Sequence, residues 1–428
     1  MRRPLFFCFA PPVFAFALTA QAQNQYFYEK APIKYLDTDP VDAVTKLDDR
    51  IRAGQVKVDG SARDQLRVLL RELRIPEASQ VLVFSKTSLQ EDRINPRNPR
   101  AIYFGDDAYV GWSQGGSFEV VGIDGSLGPV FYLYDPNANP QPEYRFQRDI
   151  DCLRCHGTFY TDRVPGLFVR SVYVSDAGFP LSQTGSTTVD HTVPFEDRWA
   201  GWYVTGRHGK ARHLGNTFFA KDNGGLVIDR EKGANIEDLS RFCDTSRYLA
   251  PGSDIVALML LEHQCAVQTA LTSADYSVRE ALYRQGRESG DPMPSEPEGD
   301  SIRWFDEAAE KAMNALFLRK EAPLPEGGIQ GNPAFQAAFA QHAVKTKAGQ
   351  SLKDLDLGTR LLRRRCSYLI YGTSFQNLCP PFKKRLVASI RQVLEGRDPA
   401  NRYAYIPAEE RAEILQILRE THPDFKQS

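Results

Sequence analysis

Phe118-Glu119-Val120-Val121-Gly122-Ile123-Asp124-Gly125, followed after four residues by Val130-Phe131-Tyr132-Leu133-Tyr134, has the composition of a β-hairpin. Both runs are rich in β-branched and aromatic residues, and Asp124-Gly125 is a turn signal between them. Three similar runs precede the hairpin: Gln80–Phe84, Ala101–Phe104 and Ala108–Trp112. The sequence therefore predicts an antiparallel meander of about five strands, whose aromatic side chains are expected in the sheet core rather than in a pocket wall.

Helices are expected on both sides of this meander in the sequence. Two precede it, one from an N-cap at Asp39 to Gly54 and one from an N-cap at Ser61 to the residue before Pro76. One more strand is expected at Gly166–Tyr173. Apolar residues at helical spacing predict six helices in the second half: Ser253–Leu271, Ile302–Arg319, Pro333–Val344, Leu357–Tyr371, Pro381–Glu395 and Pro407–Glu420. The fold class is therefore α+β, with a loop at Arg284–Asp300.

A C-x-x-C-H pattern, Cys152-Leu153-Arg154-Cys155-His156, follows the meander. This is the pattern of a c-type haem attachment site, in which each thiol binds one vinyl group of the porphyrin and the adjacent imidazole binds the iron. A chain with 7 Cys and 7 His in 428 residues contains it by chance only about 0.002 times. Cys152 and Cys155 are thus expected to hold one covalent haem c, with His156 as the proximal axial ligand.

Two other uses of the cysteine pair were weighed. A zinc site needs a second Cys/His pair at ligand spacing, and none lies near in the sequence. A thioredoxin-like redox pair should open a helix after an apolar strand, whereas Pro142–Asp149 is charged and irregular. Both explain the pattern less well than haem.

The N-terminus predicts export. Met1-Arg2-Arg3, an apolar run from Leu5 to Leu18 and Ala20-Gln21-Ala22 together form a cleavable secretory signal, so the mature chain should begin near residue 23 in the periplasm or otherwise outside the cytoplasm. No membrane span is expected after cleavage. The formal net charge of −1 gives no electrostatic reason to expect nucleic acid as a partner.

Four cysteines remain once the signal and the haem motif are set aside. An even number in an exported chain suggests two disulfides, most simply Cys243 with Cys265 and Cys366 with Cys379. The predicted organisation is a signal peptide at 1–22, a helix pair with a β-rich domain at 23–140, a haem-binding region at 141–275 and a helical C-terminal region at 276–428.

The stretch Pro194–Asn216 concentrates two tryptophans, two histidines and several basic residues. Its aromatics could line a haem and its arginines could pair with propionates, or it could be a packed loop with surface charge. Both interpretations stay open at the level of the sequence.

The second axial position of the iron has several candidate ligands. His213 and His263 are the first choices, followed by His208, and then by His191 and the methionines. An open or weakly bound position is the remaining alternative.

The chain resembles a group of exported bacterial cytochrome c domain proteins that carry one C-x-x-C-H motif. The resemblance covers about residues 80–271, and rests on that motif, on the run Arg198–Gly206 and on the run from Ser253 to Glu262-His263-Gln264. It implies haem binding and electron transfer and names no substrate. Relatives often have methionine where this chain has Leu214, so a thioether ligand is not available there.

Three functions follow as hypotheses. The first is a monohaem cytochrome that passes single electrons to redox partner proteins. The second is a haem enzyme of peroxidase or oxygenase type, with Arg198, Arg207 or Arg212 assisting bond cleavage. The third is a haem-based sensor or binding module. Whether the protein is an enzyme is left open by the sequence.

Overall fold

The fold is α+β, as predicted. The structure is a computed structural model that describes residues 27–138, 145–181, 184–222, 225–291, 294–398 and 400–426, so the signal segment lies outside it. The principal sheet has six strands: β1 (Val81–Val83), β2 (Arg100–Phe104), β3 (Ala108–Trp112), β4 (Phe118–Asp124), β5 (Gly128–Tyr134) and β6 (Gln147–Arg148). Two small sheets pair β7 (Val169–Val172) with β8 (Ser186–Val189), and β9 (Phe219–Asp222) with β10 (Gly225–Ile228).

Nine α-helices are described in these ranges: α1 (Ala43–Arg52), α2 (Ala62–Glu72), α3 (Leu153–His156), α4 (Ile255–Ser289), α5 (Ser301–Leu316), α6 (Pro333–Gln341), α7 (Thr373–Gln376), α8 (Pro380–Leu394) and α9 (Ala408–Thr421). Two lie before the sheet in sequence and six after β10. The helical second half is therefore confirmed.

The six strands follow one another as an antiparallel meander in the order β1 to β6. The five predicted runs of the meander correspond to β1–β5, and the run Gly166–Tyr173 contains β7, whereas β6, β8, β9 and β10 were not predicted. An irregular segment extends the sheet beyond β1, because the N–H of Tyr203 donates to the carbonyl of Leu82 at 2.9 Å and the N–H of Phe84 donates to that of Gly201 at 2.9 Å. Residues 199–205 thus continue the sheet without being a regular strand.

Helix α1 begins three residues later than predicted, and its N-cap is Asp42 rather than Asp39. Asp42 Oδ1 accepts the N–H groups of Val44 at 2.7 Å and Thr45 at 2.9 Å, while Tyr132 donates its hydroxyl to Oδ2 at 2.6 Å. Gly122 on β4 makes this approach possible, since a Cβ there would lie 2.5 Å from the Asp42 carboxyl carbon. The cap residue therefore also attaches α1 to the hairpin of β4 and β5. This contact joins residues that are far apart in the sequence, so a short sequence pattern could not predict it.

Helix α4 continues past the predicted end at Leu271 and into the first residues of the predicted loop, and it ends at Ser289. Gly286 suggested a loop, but it lies within the helix, where the backbone of Asp291 and the ring of Pro294 leave no room for a side chain. The helix ends instead at Gly290, which has φ +78°. Among the described residues α4 is the one helix with the length and composition to cross a membrane, yet 89% of its most apolar 18 residues are buried inside the protein.

The helix predicted at Leu357–Tyr371 is wrong, since only the 3₁₀ turn Tyr368–Tyr371 is helical there. Asp356 accepts the N–H groups of Gly358 and Thr359 at 2.9 and 2.7 Å, and Leu357 has φ +60°. Side-chain bonds of this kind compete with helical backbone bonds and close a turn instead.

The expected disulfides are not present, because the four cysteines concerned are free thiols: Cys243, Cys265, Cys366 and Cys379. Cys265 lies inside α4 near Tyr109, while Cys243 lies near Tyr248. Cys379 is at the start of α8, where its N–H donates to Asp275. Cysteines that are neighbours in the sequence thus lie in different surroundings in the fold, and a disulfide needs two cysteines that lie next to each other in space.

The predicted domain boundaries do not separate independent cores. One connected apolar core contains residues from Tyr28 to Phe425. Helix α4 crosses the predicted boundary at residue 275 and packs against both the sheet and α5. The helical second half is thus built onto the β-rich half.

Replacing Asp42 by alanine should lower the free energy of unfolding by about 2–4 kcal/mol, because it removes the cap of α1 and leaves the Tyr132 hydroxyl buried without its partner. Urea denaturation measures this change. The matched control is Asp39→Ala at the exposed position that the sequence favoured, for which a change within about 0.5 kcal/mol is expected. Equal losses in the two variants would contradict this assignment of the cap.

Candidate haem attachment site

The two cysteines of the C-x-x-C-H motif lie on one turn of backbone. Asp149 caps a 3₁₀ turn, Ile150–Cys152, by accepting the N–H of Asp151, and α3 continues directly from it. Side chains three residues apart on such a turn face the same way, so Cys152 and Cys155 are neighbours. Cys155 is exposed, Cys152 is partly buried, and both are free thiols. Burial raises the pKa of Cys152 to about 12.

The His156 ring is held in one orientation and one tautomer. Its Nδ1 lies 2.9 Å from the carbonyl oxygen of Gly166, and because a carbonyl only accepts, Nδ1 carries the proton. Phe131 and Phe168 pack against the ring, each with a centroid separation of 4.8 Å. Within the described ranges Nε2 has no hydrogen-bond partner. Burial lowers the pKa of His156 to about 4, so at neutral pH Nε2 offers a lone pair.

Helix α4 positions the carbonyl that orients His156. Thr269 Oγ1 accepts the N–H of Leu167 at 2.8 Å and donates to the carbonyl of Leu167 at 2.8 Å. Gly166 leaves room for this contact, since a Cβ there would lie 2.9 Å from Thr269 Oγ1. A carbonyl that takes the second ring N–H of a metal-binding histidine is the usual support for such a ligand.

A half-exposed face of the sheet lies next to the motif. Arg100 on β2 pairs with Glu119 on β4, and both charges influence the pKa of Cys152 and of His156. Gly111 on β3 makes room for Arg100, because a Cβ there would be 2.6 Å from its guanidinium. The partly exposed apolar residues of this face are Ile102, Val121 and Leu133.

The residues around the motif fit a covalent haem. Two thiols on one turn, an imidazole with a free Nε2 and an apolar sheet face are the groups that the porphyrin and its iron require. Arg100 Nε is buried without a hydrogen-bond partner in the described part of the chain, and a guanidinium is a good partner for a propionate. Within the same part of the chain, no group of three or more His, Cys, Asp or Glu residues could hold a separate metal ion.

His213 lies in a different part of the core from His156. It is 2% exposed and packs against Phe195, Trp199 and His208, none of which is in ring contact with His156. Its Nδ1 accepts the N–H of Gly215 at 3.0 Å, so the proton lies on Nε2. The nitrogen that would have to face an iron is therefore the protonated one.

His263 and His208 are also held by protein contacts. His263 lies within α4 with Nε2 2.8 Å from Ser367 Oγ. Both nitrogens of His208 are bonded, Nδ1 to the carbonyl of Ala211 and Nε2 to the N–H of Asn235. Met259 and Met313 are in the apolar core, and Met293 lies outside the described residues. The structure does not bring either of the favoured candidates, His213 or His263, to His156.

The two sequence runs behind the resemblance meet inside the protein. Arg198 is 2% exposed and its Nη1 lies 2.9 Å from Glu262 Oε2 of α4, while Trp199 donates its indole N–H to the other oxygen. Arg198 also donates to the carbonyl of Val193. The sequence analysis did not predict a role for Glu262. A carboxylate between Leu261 and His263 in an apolar helix indicates a buried charge that needs a partner.

The three arginines considered for bond cleavage are all paired with carboxylates. Arg198 is committed to Glu262 in the core. Arg207 pairs with Glu237 at 2.8 Å and Arg212 with Glu231 at 2.6 Å, both at the surface. The stretch Pro194–Asn216 is thus a packed loop with surface ion pairs in this structure.

A cavity of about 380 Å³ lies beside the motif. Phe168, which contacts His156, forms part of its wall together with Tyr160, and His191 is also in the wall. Lys311 and Arg319 add positive charge. His156 is not among the lining residues, so the cavity is adjacent to the C-x-x-C-H motif rather than continuous with it.

Comparison with known proteins adds no assignment, since no family model, curated protein or solved structure matches this chain. The site must therefore be interpreted from its own geometry.

Glu262→Ala should lower the free energy of unfolding by about 3–5 kcal/mol, because Arg198 would keep its charge in the core without a partner. Urea denaturation followed by circular dichroism measures it. The control, Glu237→Ala, removes one partner of an exposed pair and should leave stability unchanged within error. A variant at Glu262 as stable as this control would refute the structural role of the pair.

The stability contribution of His213 should depend on pH. Burial, and then the neighbouring His208, hold the pKa of His213 well below its usual value of 6.5, so the unfolded chain binds the proton more readily. Acidification from pH 7 to pH 5 should therefore destabilise the wild type more than His213→Asn, whose amide oxygen can still accept the Gly215 N–H. Urea midpoints measured across this range test it, and parallel pH profiles would show the expectation to be wrong.

Proposed function

We propose that this chain is an exported monohaem c-type cytochrome that transfers single electrons to redox partner proteins. The observation that carries the proposal is the geometry of the C-x-x-C-H motif, with both thiols on one turn and His156 Nδ1 bonded to the Gly166 carbonyl. That arrangement leaves Nε2 free to bind iron. Disulfide chemistry would not need an oriented imidazole beside the thiols, and a structural zinc site would need four ligands, for which the described residues offer no suitable group.

Each residue of the site has a definite role in this proposal. Cys152 and Cys155 tether the porphyrin through thioether bonds, and His156 supplies the proximal ligand. Phe131 and Phe168 keep the imidazole from rotating. The haem would supply an iron ion that accepts and releases one electron, while the chain holds it in place and tunes it through His156 and the nearby Arg100–Glu119 pair.

The position of the motif at the surface supports exchange of electrons with other proteins. Ile150 is 57% exposed and Phe159 is 71% exposed, so apolar side chains flank the motif on both sides in sequence. Aromatic rings also connect His156 to the surface: Phe168 at 4.8 Å, then Tyr160 at 5.4 Å from Phe168, then Phe159 at 4.0 Å from Tyr160. An exposed apolar rim is typical of transient protein contacts.

A haem enzyme of peroxidase or oxygenase type is the second candidate. It is favoured by the protein contacts that hold His213 and His263, since a haem bound at His156 without either of them would be open to water or a small substrate. The cavity beside Phe168 is large enough for a small molecule. The sensor hypothesis has less support, because the helical second half shares the core of the haem-binding half.

Changing the motif should abolish covalent haem. When the protein is expressed together with a cytochrome maturation system, haem should stay attached on a denaturing gel, and Cys152→Ser combined with Cys155→Ser should remove it. Cys243→Ser, outside the motif, is the matched control and should keep full haem staining. Wild-type protein without bound haem would refute the proposal.

Optical spectra should separate a carrier from an enzyme. His213→Ala and His263→Ala should both keep the wild-type haem spectrum, since each of these rings is engaged by a contact with another part of the protein. A change from low-spin to high-spin iron in one of them would instead identify that residue as the sixth ligand. A high-spin ferric wild type that shifts with cyanide would favour the enzyme.

A further inference from the structure

Two histidines outside the C-x-x-C-H motif, one partly buried and one buried, lie close together in the fold. His191 lies just after β8, and His263 lies in the middle of α4, where it is 1% exposed. Their ring centroids are 6.2 Å apart. In each ring Nδ1 is buried and has no hydrogen-bond partner in the described part of the chain. Two unsatisfied ring nitrogens so close together in a protein core call for a ligand.

The opposite nitrogen of each ring is anchored by the protein. His191 Nε2 is 3.1 Å from the carbonyl oxygen of Arg319, so Nε2 carries the proton and Nδ1 bears a lone pair. His263 Nε2 is 2.8 Å from Ser367 Oγ, and when this hydroxyl accepts the ring N–H, Nδ1 of His263 also bears a lone pair. Such outer contacts fix the tautomer of metal-binding histidines.

The distance between the rings distinguishes the coordination geometries. A ring centroid lies about 3.1 Å from an ion that one of its nitrogens binds at about 2.0 Å. Two rings on one ion are then about 6.2 Å apart when the two bonds are collinear, and about 5.1 Å apart at a tetrahedral angle. The observed 6.2 Å corresponds to the collinear case.

We propose that His191 and His263 bind one Cu(I) ion through their Nδ1 atoms in a linear, two-coordinate site. Cu(I) accepts two collinear nitrogen ligands, whereas structural zinc is bound by four ligands at tetrahedral angles. No third His, Cys, Asp or Glu completes a group here within the described ranges. This inference does not depend on the haem.

An ion can reach this position through the cavity beside the haem motif. His191 forms part of the wall of the 380 Å³ cavity, so one of the two ligands is reached from its lumen. Asp190, also in that wall, places a negative charge next to His191. Arg198 lies near His191 but is neutralised by Glu262. The wall also carries Lys311, Arg319 and Lys320, so the negative charge beside His191 is local and the cavity as a whole does not attract cations.

The test is an anaerobic titration of the purified protein with Cu(I) in competition with the chromophoric chelator bicinchoninate. The wild type should take one equivalent of Cu(I), while His191→Gln and His263→Gln should each lose more than about 100-fold in affinity. The matched control, His342→Gln, changes an exposed histidine and should bind as the wild type does. Equal binding by all four proteins, or none by the wild type, overturns the proposal.

X-ray absorption at the copper edge of the loaded wild type keeps the test independent of how well the variants fold. Two nitrogen neighbours and no sulfur are expected. Sulfur in the first shell would show that the free cysteines bind the ion instead, and three or more nitrogen neighbours would exclude the linear site. Covalent haem is measured by its own absorbance, so loss of haem and loss of copper binding are separate outcomes.

Discussion

The ion pair between Arg198 and Glu262 is the constraint on which the rest of the structure depends. Both residues are almost completely buried, at 2% and 1% exposure, and a charge in such a place is tolerated only when its partner is held in position. Glu262 is in the middle of α4, and Arg198 begins the irregular segment that extends the sheet past β1. The pair therefore sets the rotation of α4 relative to the sheet, because any other rotation would separate the charges.

That rotation of α4 also fixes the orientation of His156 in the C-x-x-C-H motif. With Glu262 directed at Arg198, Thr269 two turns later on α4 reaches the backbone of Leu167. This contact holds the Gly166 carbonyl against His156 Nδ1 and so leaves Nε2 available. His263, next to Glu262, is placed at the same time against Ser367 and His191. One buried helix thus orients a partly buried imidazole and a fully buried one.

Local sequence patterns predicted the elements well where local interactions decide them. The meander and Ser61 as the cap of α2 were correct, because alternation along a strand and capping act over a few residues. The patterns failed where a distant partner decides. Asp42 caps α1 where Gly122 leaves room for its carboxylate and Tyr132 donates a hydrogen bond to it, and Gly286 lies within α4 where the backbone of Asp291 leaves no room for a side chain. Neither contact is visible in a short window of sequence.

The sequence by itself determined the α+β class and the chemistry that the C-x-x-C-H motif can perform, because strand alternation, helical spacing and the order of two thiols and an imidazole are local properties. Only the tertiary structure decided how the seven histidines and the unpaired cysteines are used. A ring nitrogen becomes a donor, an acceptor or a free ligand according to the group opposite it, and for His156, His213 and His263 that group comes from a distant residue or from the folded path of the backbone.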